Sequence, residues 1–164
     1  MAQDNSLDKD KVEIRKDYYD SGALHRETPY VNGEKQGIER DYYESGALHS
    51  ETPYVNGERH GIEKFYYVTG ALHWEVSYVK GRMHGIRKDY YKSGAISWET
   101  PYENGKMHGI EKLYRASGAL YKETPYVKGR MHGIEKRYNK DKANIEYLVL
   151  YKENWKVASI ESNI

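Results

Sequence analysis

A period of 24 residues constrains this chain more than any other feature. Gly22, Gly46, Gly70, Gly94 and Gly118 fall at that spacing, and so do Tyr30, Tyr54, Tyr78, Tyr102 and Tyr126. Cut at the tyrosine pair, the units run 18–41, 42–65, 66–89, 90–113 and 114–137. A sixth stretch, 138–161, keeps the length and loses most of the pattern. The first two units, YYDSGALHRETPYVNGEKQGIERD and YYESGALHSETPYVNGERHGIEKF, agree at 18 of 24 positions. A repeat of this size is one supersecondary unit, and only its neighbours can cover its apolar side.

Each unit holds two glycine turns. Asn32-Gly33, Asn56-Gly57 and Asn104-Gly105 are two-residue hairpin signals, because both residues tolerate positive φ. Lys80-Gly81 and Lys128-Gly129 stand in the same place. Ser-Gly at 21–22, 45–46, 93–94 and 117–118, with Thr69-Gly70, marks the other turn. The segments between are short and rich in Tyr, Val, Thr and Ile, as strands are, and neither gap fits a helix of ordinary length. A unit therefore predicts two antiparallel strands, Ala23–Val31 and Gly37–Tyr43 in the first, and successive units continue the meander to about 12 or 13 strands. Pro29, Pro53, Pro101 and Pro125 remove a ladder donor and imply a bulge or locally broken pairing. Gly37 and its equivalents open the second strand, where a ring can approach closely.

Composition agrees with a thin sheet. Leu, Ile, Val and Phe together supply 28 of the 164 residues, whereas Tyr alone supplies 18. Large amphipathic rings lie flat on half-wet surfaces. A doubly wound α/β enzyme, whose central strands are long aliphatic runs, is excluded. There is no Cys, which rules out disulfides and thiolate chemistry and fits a reducing, cytoplasmic setting. The segment MAQDNSLDKDK has no apolar core of a signal peptide, and the longest apolar run, Tyr147–Tyr151, spans no membrane. Lys and Arg (26) balance Asp and Glu (25), so no net basic field favours nucleic acid.

Side-chain alternation assigns faces. Leu24, Thr28 and Tyr30 on the first strand, with Ile38 and Tyr42 on the second, are expected to pack. His25, Glu27, Glu39, Asp41 and Tyr43 are expected on a wet face of cross-strand charge pairs. The chain divides into a disordered tail, 1–11, five repeats with an N-terminal capping strand, 12–137, and a degenerate sixth repeat, 138–164. In the last, Ile145–Tyr151 and Trp155–Ile160 form a capping hairpin, and an apolar hairpin there would also serve as a docking site.

Few residues suggest chemistry. His60, His84, His108 and His132 form a column, but equivalent residues lie two strands apart, about 9.5 Å. Neighbouring rungs therefore cannot share a metal ion, whose ligands sit about 2.0–2.1 Å away. His25–Glu27, His49–Glu51 and His73–Glu75 recur on one face by alternation, and cross-strand pairing explains the glutamates better than acid–base catalysis does. No nucleophile elbow, phosphate loop or zinc-protease helix occurs. No catalytic residue, metal or cofactor is implied.

The informative positions are those the repeat lets vary. The residue before the recurring Glu is Arg26, Ser50, Trp74, Trp98 and Lys122. Two Trp on neighbouring rungs make a mid-array patch on the Leu/Tyr face, either as an interface or as filling of the packed side. Met83, Met107 and Met131 form a separate column near the hairpin turn, beside His84 and His108. Trp and Met are enriched at interfaces, and Trp dominates their hot spots. Arg82, Arg87, Lys88, Lys106, Lys112, Arg130 and Lys136 interleave with acids and leave a lipid or RNA groove open.

The glycine-turn hairpin, with Y-x-x-G, a second Gly four residues on, and Y-Y-x-x-G, resembles the MORN repeat. YVNGERHGIEKFYYVTGALHWE is similar to its bacterial variant, found in YwqK-type antitoxins. The likeness covers about 18–137 and continues weakly to 161. Gly37-Ile38-Glu39 departs from the eukaryotic form, which has Gly-x-Gly there. The resemblance implies an elongated, single-layer, solenoid-like antiparallel β-meander that is all-β. It also implies protein interaction, with toxin neutralisation, lipid association or dimerisation in some relatives. The expected function is stoichiometric, non-catalytic binding of another protein, with a toxin or effector nuclease as the target class. Trp74 and Trp98, flanked by Arg26 and Lys122, would make the contact, and Met83, Met107, His84 and His108 a second one. The alternative is a membrane-peripheral scaffold for anionic lipid.

Overall fold

The computed structural model describes residues 11–140 and 144–161, so most of the expected disordered tail lies outside the described residues. Eighteen strands, all paired antiparallel, form one open sheet, and the described residues contain no helix. Thirteen strands are long and five have only two residues. In the first unit Leu24–Val31 is followed by Glu34–Lys35 and Gly37–Tyr42, and the next unit begins at Leu48–Val55. Every long strand pairs with the long strands before and after it, which makes a plain meander.

The returning strand is thus split, and it is split in the same way in the unit where Ser77 stands in place of proline. At the split the Gln36 amide donates to the Pro29 carbonyl at 3.0 Å, and the His60 amide to that of Pro53. The proline ring packs on the glycine that follows the split. A Cβ on Gly37 would lie 3.3 Å from Pro29 Cγ, and one on Gly109 only 3.0 Å from Pro101 Cγ. Both glycines also sit at positive φ, +102° and +115°, where an L side chain is strained. The hairpin turns form as the sequence predicts: Asn32 and Gly33 have φ of 51° and 83°, and Lys80 adopts 49° in place of Asn.

Alternation assigns part of the faces wrongly. Pairing slips by one residue between Asp41 and Tyr42, and at the same point in each later unit. Counting straight through this bulge exchanges the two faces. Glu39 and Asp41, expected to be wet, share the packed face with Thr28 and Tyr30. Glu39 is 5% exposed and accepts the Thr28 hydroxyl at 2.7 Å. Ile38, expected to pack, is 41% exposed. Tyr42 lies on the face of Ile38, and so does Leu24, which the extra residue at His25 turns away from Thr28. His25 and Glu27 do not share a face. Their equivalents show why: His49 meets Phe65 edge-on at 5.2 Å, while Glu51 accepts the Tyr66 hydroxyl at 3.0 Å.

The buried residues form a row rather than a core between layers. It runs through Thr52, Glu63, Val76, Thr100, Glu111, Thr124, Glu135 and Val149, all on one face. At one end the last hairpin, Ile145–Lys152 and Trp155–Glu161, pairs onto Gly133–Tyr138. Its outer strand is exposed along its whole length, with Trp155 79% exposed.

Candidate functional site

The sheet register brings the variable positions into one line. On the face that holds the buried row, Arg26 stands opposite Asp41, Asp41 opposite Ser50, and Ser50 opposite Phe65. The line continues through Trp74, Asp89, Trp98, Leu113, Lys122, Arg137 and Tyr147. Directly opposed residues point to the same side of an antiparallel sheet. Arg26, Trp74, Trp98 and Lys122 therefore do share a face. It is the Thr28/Tyr30 face and not that of Leu24, Ile38 and Tyr42.

The two tryptophans differ. Trp74 stacks on Phe65 with ring centroids 4.1 Å apart and planes at 16°. The Arg87 guanidinium lies 4.5 Å from its ring centre, and Arg87 itself holds Asp89 through two bonds of 2.9 and 2.7 Å. Trp74 is part of a closed cluster. Trp98, two strands on, is 40% exposed and opens onto a groove of about 670 Å³. Tyr102, Met107, Glu111 and Leu113 line that groove with it. A second groove, of about 610 Å³, lies along the same row at Tyr121, Arg137 and Tyr147.

The flanking charges are engaged. Arg26 pairs with Asp41, which also accepts the Ser50 hydroxyl at 2.9 Å. Burial, which alone would raise the Asp41 carboxyl, is outweighed by these two donors, and it sits below the usual range. Lys122 Nζ lies 4.0 Å from Glu135.

The methionines stand near the hairpin turn, outside the register line of the tryptophans. Met83, Met107 and Met131 stand opposite Tyr78, Tyr102 and Tyr126, on the same face as the tryptophans, and Met107 enters the Trp98 groove. His84 and His108 sit where the strand is split, their amides bonded to the carbonyls of Ser77 and Pro101. Both side chains are exposed and stay outside the groove. Among the described residues no three His, Cys, Asp or Glu gather as a metal site.

Sequence reasoning missed Phe65, Asp89, Leu113 and Glu111, and took Arg87 only as one of the basic positions of a lipid or RNA groove. Two signals were present. The column Asp41, Phe65, Asp89, Leu113 and Arg137 varies as freely as the tryptophan column, and Arg87 interrupts the run of Glu39, Glu63, Glu111 and Glu135.

The central ladder of the opposite face is monotonous. Lys16, Glu27, Arg40, Glu51, Lys64, Glu75, Lys88, Glu99, Lys112, Glu123 and Lys136 are successive register partners of alternating sign. Tyr42, Tyr66, Tyr90, Tyr114 and Tyr138 donate their hydroxyls to the glutamates at 2.7–3.1 Å. Burial and then these carboxylates push Tyr66, Tyr90, Tyr114 and Tyr138 up to about 12.

Comparison with known proteins adds to this geometry. No curated protein matches the chain. Among solved structures, a mutant of S. aureus TarM, in complex with Fondaparinux, alpha-GlcNAc-glycerol and UDP, is similar at a TM-score of 0.41 and 13% identity. That likeness covers 73% of this chain and 21% of the other, so this chain spans about a fifth of that protein's length. The MORN repeat variant family matches residues 14–32, 35–56 and 107–128. Those three segments carry MORN-type repeats, and the same strands and turns recur in the rungs between them.

Proposed function

We propose that this chain is a non-catalytic binding protein that engages another protein through its variable row, in the manner of an inhibitor or antitoxin. One observation carries the reading: residues that change from rung to rung lie in register on one face, while the opposite ladder repeats the same charge alternation. A periodic scaffold needs no variation for its own stability, so variation in apolar, aromatic and charged character along one register line is what a specific partner would use. Trp98, exposed and flanked by Asp89 and Leu113, is the anchor. Trp74 supports it from within a cluster that is already closed. A toxin or effector nuclease is the proposed target class, and a cytoplasmic setting belongs to the same reading.

Affinity capture from the native host, with the tagged full chain as bait, tests this. A stoichiometric partner is expected, bound about tenfold or more weakly by Trp98→Ala and unchanged by Lys112→Ala on the opposite ladder. Equal affinity for the Trp98→Ala chain overturns the assignment of the row. Co-sedimentation with vesicles of anionic lipid at low salt, with no protein captured, would turn the reading to a membrane-peripheral scaffold. A second copy of this chain as partner would appear as a dimer in solution.

A further inference from the structure

Four glutamates are buried along the array: Glu39, Glu63, Glu111 and Glu135, none more than 7% exposed. Each accepts a threonine hydroxyl from a neighbouring strand. A carboxylate removed from water also needs a cation, and three of the four have one. Lys35 Nζ lies 2.6 Å from Glu39, Arg59 Nη1 lies 3.5 Å from Glu63, and Arg137 Nε lies 2.8 Å from Glu135. Among the described residues no cation comes within 4.0 Å of Glu111.

The repeat explains the gap. The position of Lys35 and Arg59 is taken by Met107, and the position of Arg137 by Leu113. The third route, that of Lys122 to Glu135, is closed as well, because Trp98 stands at the position of Lys122 in this rung. Lys122 acts on Glu111 only at longer range, and its amine lies beside Glu135. What Glu111 keeps is the Thr100 hydroxyl at 3.5 Å and the Trp98 indole. Burial pushes its carboxyl above the usual range, the reverse of Asp41 on the same face.

Glu111 also faces open space, lining the groove of Trp98, Tyr102, Met107 and Leu113. The molecule itself shows what such a site takes. In the first unit the Lys35 ammonium lies 4.6 Å from the Tyr54 ring centre while it reaches Glu39. In the second, the Arg59 guanidinium lies 5.3 Å from the Tyr78 ring centre, beside Glu63. The equivalents of Glu39 and Tyr54 are Glu111 in the fourth unit and Tyr126 in the fifth. An aromatic face and a carboxylate together favour a cation.

We propose that Glu111 receives a lysine or arginine side chain of the partner protein, which supplies from outside the cation that Lys35 and Arg59 supply from within. This rests on the reading of the row as a protein-binding face. It makes the Trp98 groove the specific end of that face, because the partner must present a basic side chain next to an apolar surface for Trp98, Met107 and Leu113.

The test uses the full chain and two capped tripeptides, acetyl-Gly-Arg-Gly-amide and its Gln analogue. The readout is the NMR signal of the Trp98 indole N–H, assigned with Trp98→Phe. The Arg peptide should shift this signal saturably, and the Gln peptide should leave it in place. Glu111→Gln should weaken binding about tenfold or more. Met107→Lys, which installs the residue that the first unit carries, should do the same while keeping the fold. Equal shifts with both peptides, or unchanged binding in Met107→Lys, overturn the proposal. A captured partner lost with Trp98→Ala but held by Met107→Lys overturns it while the binding row stands. Failure to capture any protein counts against the row, and the peptide titration then still decides the role of Glu111.

Discussion

The two faces of this sheet are built from the same strands and follow opposite rules. On one, from Lys16 through Lys64 to Lys136, each charge meets its opposite and the recurring tyrosine hydroxyls meet glutamates. On the other, the line from Arg26 to Tyr147 is salt bridge, hydroxyl, stacked rings, exposed indole, leucine and lysine in turn. Repetition is what a meander needs in order to propagate, since each rung is stabilised by identical neighbours. Departure from repetition contributes nothing to propagation, so the contrast between the constant ladder and the variable line separates the scaffold from the surface it displays.

The largest way to break this comparison is to ionise the ladder face. Tyr66, Tyr90, Tyr114 and Tyr138 sit near 12 in the folded chain, against an ordinary tyrosine value of 10.0. The stability they confer is complete below the unfolded value and is lost as pH rises through the folded one. Circular dichroism should therefore show the fold giving way between about pH 10 and 12, together with phenolate absorbance. Early, independent titration of these tyrosines, with the sheet intact, would contradict the ladder's role.

Next in size is the frame that both faces share. Gly109→Ala places a Cβ 3.0 Å from Pro101 Cγ at φ +115°, whereas Gly85→Ala meets nothing nearer than 3.9 Å, because Ser77 stands where the other units have proline. The first substitution should cost about 2–4 kcal/mol, combining strain at positive φ with overpacking, and the second only the strain, about 1–2 kcal/mol. Equal losses in denaturant titrations would show that the proline ring does not matter.

The smallest effect is the most discriminating, because its sign changes along the variable face. Glu39→Gln removes the partner of Lys35 and should lower stability by about 1–3 kcal/mol. Glu111→Gln should instead raise the melting temperature at neutral pH. Its carboxyl is displaced upward by burial, so the stability it allows is present in acid and lost as pH rises through its folded value. A drop in both variants would mean that Glu111 has a counter-charge after all.

Much of this molecule can be read by counting. The period of 24 gives the rungs, and Asn-Gly and Ser-Gly give both turns, because local backbone chemistry decides them. Arg26, Ser50, Trp74, Trp98 and Lys122 stand out as the variable column for the same reason: comparison of units within one chain is arithmetic. The sequence even contains the exchange of Lys35 and Arg59 for Met107.

Counting fails where one residue is added to a ladder. The slip between Asp41 and Tyr42 turns Leu48 away from Thr52, so counting through it puts Ile38 on the packed side, whereas Ile38 is exposed and Glu39 buried. Glu39 is tolerated there because Thr28 and Lys35 come from other strands to meet it, and the same burial leaves Glu111 without a cation. Strand alternation is a local property that sequence determines. Which face becomes dry, and which charge is left alone on it, depends on what neighbouring strands bring within bonding distance, and only the tertiary structure decides that.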